Sequence, residues 1–267
     1  MTASQSTLAA DEILLRSDAG GVATLMLNRP KQYNALSEEL LAALNEALEA
    51  IEHDERVRVV VIAANGTAFC AGHDLKQMRA NPSREYYRKL FAQCSKMMLA
   101  IARIPQPVIA RVQGIATAAG CQLVAQCDLA VAAESARFAV SGINVGLFCS
   151  TPSVPLGRNV LRKQAMEMLL TGDFIDANTA RQYGLVNHVV PLDKLDDEVH
   201  HLARRILEKS AVAVATGKRM FYKQLEMGLE GAYQYAAETM ACNMMVEDVG
   251  EGIDAFMAKR SPQWKHR

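Results

Sequence analysis

A chain of 267 residues is long enough for one large domain, or one domain with an appendage, around a substantial core. Lysine plus arginine and aspartate plus glutamate each number 29, so no net field recruits nucleic acid or an anionic membrane. Half the residues are hydrophobic, but polar residues break every apolar run before it reaches a membrane-spanning length, so neither a membrane nor a nucleic acid is an expected partner. The six cysteines include no CxxC pair and no Cys/His cluster at zinc spacing, which predicts reduced, mostly buried thiols and no metal. The chain holds no GxGxxG, no GxSxG and no phosphate loop; Gly217-Lys218 lacks both the leading glycine and the following hydroxyl residue. The first eleven residues lack a basic region followed by an apolar one, and Asp11 and Glu12 are acidic where transit peptides are acid-poor, so the expected location is the cytoplasm.

In chain order, strands are predicted over 12–16 and 22–28, joined by a turn at Asp18-Ala19-Gly20-Gly21. Ser37 reads as the cap of a helix with Glu38 and Glu39 in its first turn and leucines 40, 41, 44 and 48 on one face. A buried strand over 57–63 leads through a loop with Gly66 and Gly72 to a helix opening near Asp74, and a longer helix covers about 84–104. Next come a strand over 108–112, a short helix after Ala119, strands over 129–133 and 137–140, and a helix over 160–170, with Ser141, Ser150 and Thr151 as turn and cap residues before it. After Pro191 the composition changes to helices, roughly 193–209, 212–227, 233–246 and 251–259, and helices gathered at one end suggest an appendage. Methionines 220, 227, 240, 244, 245 and 257 suit an adaptable interface as well as ordinary packing.

Two stretches share one design. In 107–123, PVIARVQGIATAAGCQL, a β-branched strand meets Gly114, Ala116, Ala118, Ala119 and Gly120, then a helix. Small residues there either permit close packing or let a ligand reach main-chain N–H groups that lack helical partners. In 57–78, VRVVVIAANGTAFCAGHDLKQM, strand, glycine loop and helix recur. With LNRPKQYNAL at 27–36, CDLAVAAESARF at 127–138 and AFMAKRSPQW at 255–264, these motifs resemble the enoyl-CoA hydratase/isomerase (crotonase) superfamily over nearly the whole chain.

The resemblance implies an α/β fold, a spiral of ββα units over 1–191 that binds acyl-CoA, with a helical region over 192–267 that makes trimers or hexamers. It implies that the amides of His73 and Ala119 form an oxyanion hole for the enolate of a CoA thioester, with CoA carried as part of the substrate and no permanent cofactor. Ala119 stands where many relatives have glycine, a harmless exchange at negative φ and a damaging one at positive φ. Expected CoA contacts are the backbone near Ala71 and Leu75, the basic side chains of Arg29 and Lys31, and Phe256 with Lys259 from a neighbouring subunit. The chain departs from the family at its acid–base positions: Gln122 and Gly142 stand where hydratases carry glutamates, and neither can transfer a proton. Ser150 stands at the dienoyl isomerases' aspartate. The reading is therefore an enoyl-CoA hydratase/isomerase-like, lyase-type enzyme of fatty acid metabolism with weak or non-standard chemistry, or else a catalytically inactive acyl-CoA-binding oligomer. Cys149 lacks an evident histidine base, which leaves it open as nucleophile or buried small hydrophobe, and His73 can lend its imidazole as well as its amide.

Overall fold

The computed structural model describes residues 12–266. β1 (Leu14–Ala19) and β2 (Val22–Leu27) form an antiparallel hairpin closed by Gly20 and Gly21, both at positive φ, the geometry a two-residue hairpin turn requires. α1 (Glu38–Glu52) starts at Ser37, whose hydroxyl accepts the Leu40 N–H at 3.3 Å, and its four predicted leucines are fully buried. β3 (Val59–Ala64) follows, buried along its whole length as a strand covered on both faces must be. The chain continues through β4 (Ala68–Cys70), α2 (Leu75–Ala80), α3 (Arg84–Arg103), β5 (Val108–Val112), β6 (Ile115–Thr117), α4 (Ala119–Gln126), β7 (Leu129–Ala133) and β8 (Arg137–Ala139). After a 3-10 turn over Ser141–Val145 come α5 (Ser150–Asn159), α6 (Arg162–Thr171), β9 (Ile175–Asp176), α7 (Ala177–Gln182) and β10 (His188–Val190). The last helices are α8 (Leu195–Leu207), α9 (Ala211–Gln224), α10 (Leu229–Met244) and α11 (Glu247–Met257).

The strands form two sheets, ordered β1-β2-β3-β5-β7-β10 and β4-β6-β8-β9. From β3 to the helices after β8 each turn of the chain lays one strand in the large sheet, one in the small sheet and then helix, which is the expected spiral of ββα units; β9 and β10 then close the small and the large sheet on either side of α7. Strands in successive turns pair in parallel, β3 with β5 and β7 in one sheet, β4 with β6 and β8 in the other. The main core lies between the sheets and helices α1, α3 and α4. A second cluster covers the outer face of the large sheet, where Leu195, Val199 and Ala203 of α8 pack on Val59, Val61, Ile109 and Val131.

The expected reading of Ser150 and Thr151 as turn and cap residues is corrected. They open α5, an additional helix that carries Pro152 in its first turn, where a proline lacks no intrahelical bond, and Pro155 inside it. The helix expected over 160–170 begins at Arg162 instead.

One buried polar clasp ties α9 to this core. Lys218 donates to the carbonyls of Ile101 at 2.7 Å and Gln106 at 2.9 Å and to Asp128 Oδ2 at 2.7 Å, while Asp128 also accepts from Tyr222 Oη and the Val108 N–H. Burial pushes the Lys218 ammonium below its usual range and the Asp128 charge opposes that shift. The pair is 6% and 13% exposed, so removing one partner strands a charge in the interior. Lys218→Met is expected to lower unfolding stability by about 3–5 kcal/mol in denaturant titration, with part of the loss recovered when Asp128→Asn is added.

Candidate functional site

The loop before α2 is clamped in strand-like register against Leu36, whose N–H donates to the Gly72 carbonyl at 2.8 Å while its carbonyl accepts from the Asp74 N–H at 3.2 Å. That alternation turns the His73 N–H to the opposite side, where it has no hydrogen-bond partner among the described residues. Asp74 caps α2 through bonds from the Lys76 and Gln77 amides and is gripped by Arg29, whose guanidinium also donates to the Ala35 carbonyl. Across from it, the Ala119 N–H is the first of α4 and has no helical carbonyl behind it.

Glycines allow these two segments to meet. A Cβ on Gly72 would lie 2.9 Å from Ala118 Cβ and 3.2 Å from the Ala119 nitrogen, and one on Gly120 would lie 2.0 Å from the Cys70 carbonyl oxygen. The positive φ sits on Ala118, at φ 50 and ψ −119, and not on Ala119, so the Ala119 amide needs no glycine. Ala118 carries the strain, a conformation that costs a non-glycine residue about 1–3 kcal/mol.

His73 and Ala119 both line a cavity of about 210 Å³ whose wall includes Ala71, His73, Leu75, Met78, Phe91, Ala118, Ala119, Ser141, Gly142, Val145, Leu147, Phe148, Cys149, Ser150, Thr151 and Pro152. The wall contains no carboxylate and no lysine or arginine. The His73 ring lies edge-on to Phe91 with centroids 5.4 Å apart; both ring nitrogens are buried and neither meets a protein partner at hydrogen-bond geometry, although the Leu36 backbone is near enough to raise the ring's proton affinity. Burial pushes its pKa down to about 4, so the imidazole is neutral at physiological pH. Cys149 donates to the Val140 carbonyl at 3.4 Å, and burial pushes its thiol up, which keeps it protonated. Thr117 and Ser141 share a hydroxyl contact of 2.7 Å.

Gln122 and Gly142, where the resemblance led to an expectation of glutamates, differ in kind. Gln122 is buried in α4, is not part of the cavity wall, and leaves its Oε1 without a partner. Gly142 is in the wall, and the obstacle to a side chain there is steric: a Cβ would lie 2.6 Å from the Leu147 carbonyl oxygen and 2.8 Å from Cys149 Sγ. The segment through Gly146, at φ 79, folds back so that the Leu147 N–H donates to the Gly142 carbonyl at 3.0 Å. Of the expected CoA contacts, Ala71 and Leu75 lie in the wall, Arg29 is committed to Asp74, and Lys31 is exposed. Phe256 is 85% exposed on α11, and Lys259 follows that helix at φ 53; neither is part of the cavity wall. Phe91, Met78, Val145, Leu147 and Phe148 were not singled out from the sequence; Gly146, an αL turn residue among apolar neighbours, was the available signal.

A histidine with a depressed pKa binds its proton more readily in the unfolded chain. Its contribution to stability is therefore complete above about pH 6.5 and is lost as the pH falls through about 4. Acid titration of unfolding stability should show a slope approaching 1.4 kcal/mol per pH unit in this window, and His73→Leu should flatten it.

Comparison with known proteins places the chain. The enoyl-CoA hydratase/isomerase family model matches residues 17–267. Rat "enoyl-CoA hydratase domain-containing protein 3, mitochondrial" is 45% identical over 246 residues, which cover 92% of this chain and 82% of the relative. An enoyl-CoA hydratase structure from Mycobacterium smegmatis superposes with a TM-score of 0.94 at 61% identity, covering 95% of this chain and 99% of that one. The structure of human enoyl-CoA hydratase domain-containing protein 3 gives 0.92 at 43% identity, covering 95% and 100%. The expectation of a cytoplasmic location is overturned by the rat, Xenopus and human relatives, which are named as mitochondrial; that expectation rested on residues 1–12, of which 1–11 lie outside the described residues. The chain belongs to the enoyl-CoA hydratase/isomerase family, and its fold is the crotonase spiral.

Proposed function

We propose that this protein binds acyl-CoA thioesters and stabilises their enolates, with the thioester oxygen held between the N–H groups of His73 and Ala119. The observation that supports this reading is that His73 and Ala119, whose main-chain amides have no partner among the described residues, line one largely apolar cavity. Main-chain donors fixed in a dry site stabilise developing charge without reorganising, and each is worth roughly 100- to 1000-fold in rate. The helix dipole of α4 adds to the attraction for negative charge. Arg29 serves as the support of Asp74, and so of the His73 amide, while Lys31, the Ala71 backbone and Leu75 contact the CoA portion.

Hydration needs more than an oxyanion hole, because water must lose a proton and carbon must gain one. Among the described residues the titratable groups in the cavity wall are a neutral imidazole and a protonated thiol. General acid–base catalysis is worth about 100- to 10,000-fold per instance, so native hydration of crotonyl-CoA should be slow. The chemistry is thus weak or non-standard hydratase activity on a retained thioester scaffold. A binder without turnover is the second reading, favoured by the protonated state and hydrogen bond of Cys149.

Residues 192–267 are proposed as the oligomerising region. Neither α9 nor α10 buries a residue within the single chain, and Leu229, Tyr233, Met240 and Met245 are each more than 70% exposed. So much apolar surface marks an interface, and a trimer or a pair of trimers would bring Phe256 and Lys259 to a neighbour's CoA.

Thermal unfolding should shift upward with a saturating acyl-CoA, by about 2.7 kcal/mol of stabilisation at 100 times its dissociation constant, and no shift with any chain length refutes the binding reading. Hydration of crotonyl-CoA should be slow in the native chain and depend on His73 or Cys149; brisk turnover that survives His73→Ala and Cys149→Ala means another group supplies the chemistry. Adding Gly142→Glu to Gln122→Glu should raise hydration above either alone only if the 142–149 segment yields, and Gly142→Glu should itself destabilise by about 1–3 kcal/mol. Light scattering at micromolar concentration should return a trimer or hexamer mass, and a monomer mass excludes the proposed assembly.

A further inference from the structure

Ala118 stands at φ 50 and ψ −119, angles that glycine adopts freely and alanine does not. They are close to those of the first central residue of a type II′ turn, roughly +60° and −120°, in which the second central residue keeps a negative φ. Ala119 does so as it opens α4. The same bend has a second form. Turning over the single peptide plane between residues 118 and 119 converts the type II′ pair of angles into type I′, in which both residues have positive φ. Ala118 would then enter the left-handed helical region, the positive-φ setting an L residue tolerates best. Ala119 would move to positive φ, where its own Cβ opposes it. The turned plane would also exchange the Ala118 carbonyl and the Ala119 N–H, so the bond that the Gln122 N–H donates to the Ala118 carbonyl at 3.0 Å would be lost.

We infer that Ala119 is a positioning residue through its methyl group: by barring positive φ at this position it holds the 118–119 peptide plane with the N–H, and not the carbonyl, toward the thioester oxygen, against the strain at Ala118 that favours turning the plane over. This rests on the acyl-CoA reading above. The strained residue is pinned on its other side, where its N–H donates to the Ala139 carbonyl at 3.0 Å and its methyl lies beside Gly72, at which a Cβ would come within 2.9 Å. Those contacts lie before the plane and do not fix its direction. What opposes the turn is the bond from Gln122 and the methyl of Ala119. A glycine at 119 would leave one main-chain hydrogen bond against the relief of Ala118, two effects of similar size. The turned plane sets a carbonyl oxygen against the thioester oxygen and repels it, so affinity for a carbonyl falls with the fraction of molecules correctly turned.

Isothermal titration with butyryl-CoA and with S-butyl-CoA, the thioether that lacks the carbonyl oxygen, reads the contact to that oxygen separately from the rest of the ligand. The native protein should prefer the thioester roughly three- to tenfold, the worth of a neutral hydrogen bond. In Ala119→Gly the preference should fall by about twofold or more, while affinity for the thioether stays as in the native protein. Adding Ala118→Gly removes the strain that drives the turn, so the double variant should regain the native preference and unfold at a higher temperature than Ala119→Gly alone. A native preference kept in Ala119→Gly, or one lost there and not regained in the double variant, overturns the inference while leaving acyl-CoA binding intact. Equal native affinity for the two ligands overturns the placement of the thioester oxygen, and the inference with it. Failure of both ligands to bind the native chain overturns the acyl-CoA reading itself.

Discussion

The site depends on backbone meeting backbone without side chains between. At Gly114 a Cβ would lie 1.9 Å from the Thr67 carbonyl oxygen, at Gly120 it would lie 2.0 Å from that of Cys70, and at Gly72 it would press on Ala118 and Ala119. These contacts bring β4 and the loop after it against β6 and the start of α4, so His73 and Ala119, from two turns of the spiral, line one cavity. Substituting the first two sites would force the strands apart, since the obstructing atom is main chain and cannot rotate away. The small sheet is the instrument of this approach: its short strands anchor themselves in the main core through Phe69 and Phe138 and set the register between successive turns.

Around that constraint the chain has built a cavity without formal charge. Of the two positions at which the resemblance led to an expectation of glutamates, Gln122 is an amide inside a helix and Gly142 is a glycine over which the following loop has closed. The difference is more than a deletion, because the space a glutamate at Gly142 would need is filled by the Leu147 carbonyl and Cys149. What replaces charge is hydrocarbon and a neutral ring, so any interaction with the acyl group here is read through shape and hydrogen bonds.

Much of the fold was legible because long elements declare their period. The leucines of α1, the run over 108–112 and the run over 129–133 carry repeats that only one arrangement satisfies, and the structure places them as expected. Of the small sheet, β8 was expected over 137–140 but β4, β6 and β9 were not legible, since two or three residues cannot display an alternation, and α5 was hidden by Pro152 and Pro155, which read as breakers. His73 and Ala119, expected from the motifs that carry the family resemblance, both line the cavity. The transfer of positive φ to Ala118 was not readable, because it depends on how the strand end meets the helix. Nor was the commitment of Arg29 to Asp74, 45 residues away, which depends on how the spiral brings the two together.

The clasp between Lys218 and Asp128 has a consequence for the order of folding. The two residues are 90 positions apart, so during synthesis the aspartate emerges well before the lysine that neutralises it. Until α9 arrives, the end of α4 and the start of β7 enclose an uncompensated carboxylate, and full closure of that part of the core is unfavourable. A contact of such separation adds to the entropy that must be lost before native pairing stabilises the chain, which slows folding. The spiral is thus expected to wait, partly open, for its C-terminal helices, and a truncated chain would leave that opening permanent.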